Sequence, residues 1–268
     1  MNNYKKLESG RSMIEMLGVL AIIGVLSVGG IAGYSKAMTK FKTNKVADNV
    51  SMIVTNIRTL YAQQKTYTGL DNKSAVEMGV VPDELVGTLT GTTQSLTNAF
   101  LGSVYIGAGK VSGMDGETVT GDAQKGVNRG FYVIMNGLPK EACVTLATND
   151  WGSGYSSGLV GIVASGSQQT GDSTAVQDIN CTGSTGAAGS GDSGNTQQGA
   201  SNNIGGNGTA LASANMGLTE GGGTPAASTT WAACVNGTGD GKTPMNVAKA
   251  AAACSSPSNA NSILWKFY

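Results

Sequence analysis

Residues 10–34 read GRSMIEMLGVLAIIGVLSVGGIAGY, and the rest of the chain is arranged around them. One carboxylate, Glu15, stands at the head of an otherwise uncharged apolar run, four residues after Arg11. From Met16 to Ser35 there is no formal charge, a stretch of 20 residues. A helix needs about 20 such residues to cross a hydrocarbon core of roughly 30 Å. The segment is long enough to span a bilayer and too long for a typical secretory h-region. An acid at its edge is the feature to be explained.

Composition narrows the function classes. The 268 residues suffice for one membrane segment and one globular domain. Formal net charge is zero, so bulk charge offers no argument for nucleic acid as a partner. The chain has no histidine, which removes imidazole bases, Ser-His-Asp triads and His-ligated zinc. It has 41 glycines and only 13% charged residues, the surface of a neutral, loop-rich extracellular protein. Four cysteines, Cys143, Cys181, Cys234 and Cys254, lie in the C-terminal half without Cys-x-x-Cys spacing. No metal or other cofactor is implied. Widely spaced cysteines beyond a membrane segment fit disulfides in an oxidising compartment, and four of them allow three connectivities.

Past Tyr34 the helical pattern continues. Met38, Phe41, Val46, Val50, Ile53, Val54, Ile57, Leu60 and Tyr61 recur mostly at three- and four-residue steps, which predicts one apolar face. The first proline is Pro82, so one helix is expected from about Ser12 to Tyr67, roughly 80 Å long. Gly18, Gly24, Gly29, Gly30 and Gly33 weaken its first half and allow either close helix approach or local unwinding. Ser74 to Glu77 reads as a capping box opening a short helix that stops at Gly79. Val80 to Leu85 reads as a turn with room for a helical turn. Strands are expected at 103–107, 130–135 and 159–163, with a hairpin turn at 113–117. Asp115, Glu117 and Asp122 lack the spacing of a calcium loop and read as a solvated turn. Leu138 to Ala147 reads as a helix with Pro139 in its first turn, and Val247 to Cys254 as a second. Ser262 to Tyr268 reads as an alternating aromatic strand. The order predicts an α+β fold, an antiparallel sheet packed on the long helix.

From Thr182 to Thr230 Gly, Ser, Thr, Asn and Ala dominate, and Asp192 and Glu220 are the only charges. Such a stretch buries too little apolar area to offset its ordering entropy and reads as a surface insertion. Cys181 and Cys234 stand just outside its ends. Asn207-Gly208-Thr209 and Asn236-Gly237-Thr238 match the N-glycosylation pattern, where chance matches are expected.

Gly10, Glu15 and the apolar run together resemble the N-terminus of type IV prepilins. Met78 to Pro82, Leu96 to Val104, Gly137 to Leu146 and the closing Ala253-Cys254…Leu264-Trp265-Lys266-Phe267 resemble blocks of type IVb major pilins, closest to those of thin conjugative and enteric pili. The resemblance implies the type IV pilin fold and a division into leader (1–10), membrane and filament-core helix (11–35), amphipathic half-helix (36–67) and globular head (68–268) carrying the insertion at 182–230. It implies cleavage by prepilin peptidase between Gly10 and Arg11, N-methylation of Arg11, and an assembly role for Glu15, the fifth residue of the mature chain. It also implies a Cys143–Cys254 disulfide. Cys181 and Cys234 are extra, and nested pairing would staple the insertion. The partners implied are further copies of the chain, the peptidase, the inner-membrane assembly machinery, the inner membrane itself and a host or recipient cell surface. The location implied is the inner membrane first, then an extracellular fibre. Arg11 departs from the family, whose mature first residue is usually apolar.

An ionised side chain in hydrocarbon costs several kcal/mol unless paired. Cleavage after Gly10 would create an α-amine near Glu15, and in a bundle of staggered helices the two groups would meet between neighbours. A buried pair of that kind specifies register more than it adds stability. Lys and Arg counts on the two sides of the run, Lys5, Lys6 and Arg11 against Lys36, Lys40, Lys42 and Lys45, mildly favour the opposite orientation. The cysteines and the processing motif place residues 36–268 outside. No nucleophile–base pair or phosphate loop stands out, so the expectation is a structural subunit and not an enzyme. A minor pilin, a secretion-system pseudopilin, or an anchored adhesin that never polymerises are the alternatives.

Overall fold

The uncharged run and the amphipathic stretch form one helix, α1, from Met13 to Tyr61. The computed structural model describes residues 13–64, 66–91, 93–109, 129–152, 157–169, 230–235 and 243–268; of Thr230, Trp231, Ala232 and Cys234 it describes the backbone alone. The hairpin turn expected at 113–117, the acidic residues around it, the two glycosylation patterns and the insertion through residue 229 lie outside the described residues. The chain divides into two units, Met1–Lys42 and Thr43–Tyr268.

In the first unit every described residue from Met13 to Ala37 is exposed. In the second, Thr43, Val46, Asn49, Val50, Ile53, Val54, Ile57 and Tyr61 of α1 are buried. Their steps of one, three and four residues place them along one stripe. Phe41, expected on that stripe, is exposed, because at 100° per residue it lies about 160° round the helix from the stripe's centre. Leu60 sits at the rim and is also exposed.

α1 ends six residues before the expected Tyr67. The Gln64 N–H bonds to the Tyr61 carbonyl at 2.8 Å, a tightened last turn. Tyr67 then lies between Tyr61 and Phe131, ring centroids 5.1 and 4.8 Å away, and Phe131 stacks on Phe267 at 5.3 Å. Aromatic packing of this kind outweighs the helix propensity of Ala62 to Gln64, since each pair adds about 0.5–1.5 kcal/mol beyond its buried area. The Arg58 guanidinium lies over the Phe267 ring at 5.4 Å. Burial lowers its pKa from the ordinary value, and the neighbouring Tyr67 phenol raises it in part.

α2, Asn72–Glu77, has a different cap from the one expected. The N-cap is Asp71, whose Oδ1 accepts from the Ser74 N–H at 2.7 Å, while the Ser74 hydroxyl accepts from the Asp71 N–H at 2.8 Å. Ser74 thus fills the third helical position of the box, not its first. Asp83–Leu85 forms a 3-10 turn. It leads into a hairpin that sequence reasoning missed, β1 (Val86–Thr90) and β2 (Thr93–Leu96).

The second sheet has five antiparallel strands: β3 (Val104–Gly109), β4 (Gly130–Leu138), β5 (Leu159–Ser165), β6 (Thr230–Cys234) and β7 (Asn261–Phe267). Their order is β3-β4-β7-β5-β6, so the last strand of the chain enters the middle of the sheet. Phe131, Val133 and Met135 pair with Phe267, Trp265 and Ile263, and these six belong to the same core as the buried stripe of α1. β7 was expected to alternate. Instead all seven of its residues are buried, Leu264 and Lys266 among them, as befits a central strand flanked by β4 and β5. Between β4 and β5 runs α3, Lys140–Thr148, entered through Pro139; α4, Val247–Ala253, is capped by the Asn246 side chain.

Candidate assembly surfaces

Asparagine side chains hold the strand ends of this head. Asn72 donates from Nδ2 to the Val104 carbonyl at 3.0 Å and accepts at Oδ1 from the Ile106 N–H at 2.7 Å. The Ala108 N–H bonds to the Leu70 carbonyl at 3.1 Å. The outer edge of β3 is thereby closed by side chain and loop in place of a further strand. A cleft of about 570 Å³ lies along it, lined by Asn72, Gln94, Val104, Ile106 and Tyr132. At the irregularity between Met135 and Leu138, Asn136 exchanges two bonds with the backbone of Gln169, both 2.8 Å. Asn261 donates to the Leu138 carbonyl at 2.9 Å. Nothing in the sequence flagged these residues, because an asparagine that caps a distant strand looks like any loop asparagine.

The Cys143–Cys254 disulfide joins α3 to the end of α4, with Cα atoms 5.9 Å apart and both cysteines buried. It closes a loop of 111 residues. Cys234 falls on β6 opposite Gly161 in register. Cys181 and the Cys234 side chain lie outside the described residues, as do Gly10 and Arg11.

Glu15 lies in the first turn of α1 and is exposed. A carboxylate in the first turn of a helix is favoured by the partial positive charge of the N-terminus, by about 0.3–1 kcal/mol at an exposed site. Among the described residues no cation stands within ion-pair distance of it. Behind it the apolar side chains from Met16 to Tyr34, Leu17, Leu26 and Ile31 among them, are exposed on all sides of the helix. This segment is long and apolar enough to cross a membrane. A helix apolar all round requires an apolar surrounding, either lipid or other helices.

The sequence model of the family described as Bundlin matches residues 35–198. Two curated relatives, each named "Major structural subunit of bundle-forming pilus", come from Escherichia coli O127:H6 (strain E2348/69 / EPEC) and Escherichia coli O111:H-. Each is 30% identical to this chain over 149 residues, 56% of this chain and 68% of the relative. The chain belongs to the bundlin family of type IVb pilins. A solved structure described as a type IV b pilin from Salmonella typhi is 19% identical, covering 43% of this chain and 72% of that one, with a TM-score of 0.32. The fold described above rests on this chain's own strand order.

The bundlin match begins at Ser35, after the apolar run. The stretch that carries Glu15 lies outside the residues that this model matches.

Proposed function

We propose that this chain is the structural subunit of an extracellular type IVb pilus, assembled through the first half of α1. The observation that carries the proposal is the exposed, uncharged run behind Glu15, in a chain whose residues 35–198 match the bundlin family. The run holds the prepilin in the inner membrane, with the head outside. Prepilin peptidase cuts between Gly10 and Arg11 and methylates the new N-terminus. The inner-membrane assembly machinery then moves the subunit from lipid into a fibre core made of the same helix from other copies.

Glu15 sets the register of that transfer. Its carboxylate meets the α-amine of Arg11 on a neighbour, offset along the fibre axis. The pair gives each incoming helix one depth at which no charge is left alone in an apolar core. The Cys143–Cys254 bridge holds the head together outside the cell, and a Cys181–Cys234 bridge closes the base of the insertion. The finished fibre serves adhesion, aggregation or mating at a host or recipient cell surface.

Glu15→Ala tests the mechanism. The variant is expected in the membrane fraction at normal level, with surface fibres reduced by at least tenfold. Normal fibre yield from it would refute the role given to Glu15.

A further inference from the structure

Leu101 carries a left-handed backbone, φ +65°, and its side chain is 85% exposed, more than any other large apolar side chain described in the unit Thr43–Tyr268. Both features are unfavourable for a leucine in water. The turn that imposes them is tightly built. Asn98 Oδ1 accepts from the N–H groups of Phe100 and Gly102 at 2.8 and 3.1 Å, and its Nδ2 donates to the Asn136 carbonyl at 2.7 Å. The Asn98 N–H bonds to the Gly102 carbonyl, and the Leu101 N–H to the Asn98 carbonyl, both at 2.9 Å. Gly102 lies so close to Asn136 and Gly137 that a Cβ there would stand 1.8 Å from the Asn136 oxygen. A glycine or asparagine at 101 would adopt this backbone with less strain. Among the described residues of the head the leucine gains no burial in return.

The stretch of chain that carries this turn is uncharged as well. Residues 85–109, 25 in all, contain no Asp, Glu, Lys or Arg. Val86 and Leu89 of β1 are exposed, and β1 pairs with β2 alone among the described strands. The Thr97 bridge to Ser103 ties this hairpin to the Leu101 turn. Depletion of charge with protruding apolar side chains is the composition of a buried interface core. It gives no handle to phosphates or acidic headgroups, which need cations.

We propose that Leu101 is a knob that seats in a second copy of this chain within the fibre, with the β1–β2 hairpin as its uncharged surround. This rests on the pilus-subunit reading above. A fibre repeats one head-to-head contact at every step, and a knob that enters a different surface of the next copy makes a contact that does not close on itself. Rigid presentation favours such a contact, because the turn pays no further ordering cost on assembly.

The test uses the full-length chain in cells that make fibres. A benzophenone amino acid placed at position 101 is irradiated on intact fibres, and the products are mapped by mass spectrometry. In parallel, Leu101→Gly is compared with the unsubstituted chain for the head's thermal unfolding and for fibre yield. Expected are cross-links from position 101 to the head of another copy, and a Leu101→Gly head at least as stable as the original whose fibres fall about tenfold in yield. Fibres that assemble normally with Leu101→Gly and give no cross-link between copies would overturn the proposal, as would cross-links to lipid or to a different protein. The unsubstituted chain shows separately whether fibres form, so failure of the knob is distinguished from failure of the pilus reading.

Discussion

Asn72 completes the edge of the five-stranded sheet by bonding to Ile106 as a neighbouring strand would: its Oδ1 accepts from the Ile106 N–H at 2.7 Å, and its Nδ2 donates to the Val104 carbonyl two residues away at 3.0 Å. Asn72→Ala leaves both backbone groups unpaired. The expected loss is about 1–3 kcal/mol of head stability, together with a new tendency of the solubilised protein to associate through β3. Urea unfolding and light scattering measure the two effects. Asn72→Asp keeps the acceptor and loses the donor, and should fall between the alanine variant and the original.

Gly102 and Gly137 form a second close approach. An added Cβ at Gly137 would stand 2.6 Å from the Gly102 Cα, and Gly137 has φ +71° besides. Gly102→Ala is expected to cost about 3 kcal/mol, at the upper end of overpacking effects. Because the two sites share one contact, the double alanine variant should lose less than the sum of the single losses. A double-mutant cycle by denaturant unfolding checks this.

The Cys143–Cys254 bridge ties α3 to α4 across 111 residues of sequence. Replacing both cysteines by serine should cost about 2–5 kcal/mol. Thermal unfolding of the full chain in detergent, with and without reductant, should then show a smaller reductant-induced fall in the midpoint for the doubly substituted chain than for the original.

Lys45 and Glu84 form an ion pair at 2.6 Å, and the hydrogen bond from Lys45 holds the Glu84 carboxyl below its ordinary value. The folded chain therefore binds that proton more weakly than the unfolded chain. The stabilisation is present above the ordinary glutamate value near 4.5 and is lost as the pH falls through the lower folded one. Both side chains are about two-fifths exposed, so its size is about 0.5 kcal/mol or less. A carbon NMR titration of Glu84 should show its midpoint move upward in Lys45→Ala.

The parts of this fold legible in sequence were those set by local pattern. The stripe from Val46 to Tyr61 is a three- and four-residue periodicity, and β3, β4 and β5 are short apolar runs bounded by turns. The end of α1 was not legible, because Tyr67 leaves the helix for Phe131, a partner 64 residues away. The β1–β2 hairpin was missed because Val86 to Leu96 has three apolar residues in eleven and packs little of itself. The cap of α2 was misplaced by three residues because Ser74 and Asp71 both suit the role, and only the backbone geometry chooses between them. Of the assembly surface, Glu15 and its apolar run stood out at once as a charge beside a span. Leu101 did not, since a left-handed φ on a leucine has no sequence signature.

The central claim is that this chain polymerises into a pilus through its processed N-terminal helix. Shearing filaments from cells that express it, imaging them by electron microscopy and sequencing the N-terminus of their main protein band tests that claim most directly. The account predicts thin fibres whose main band is this chain, beginning at Arg11 with a methylated amine. A chain that begins at Met1, stays in the membrane fraction and yields no filaments would contradict it.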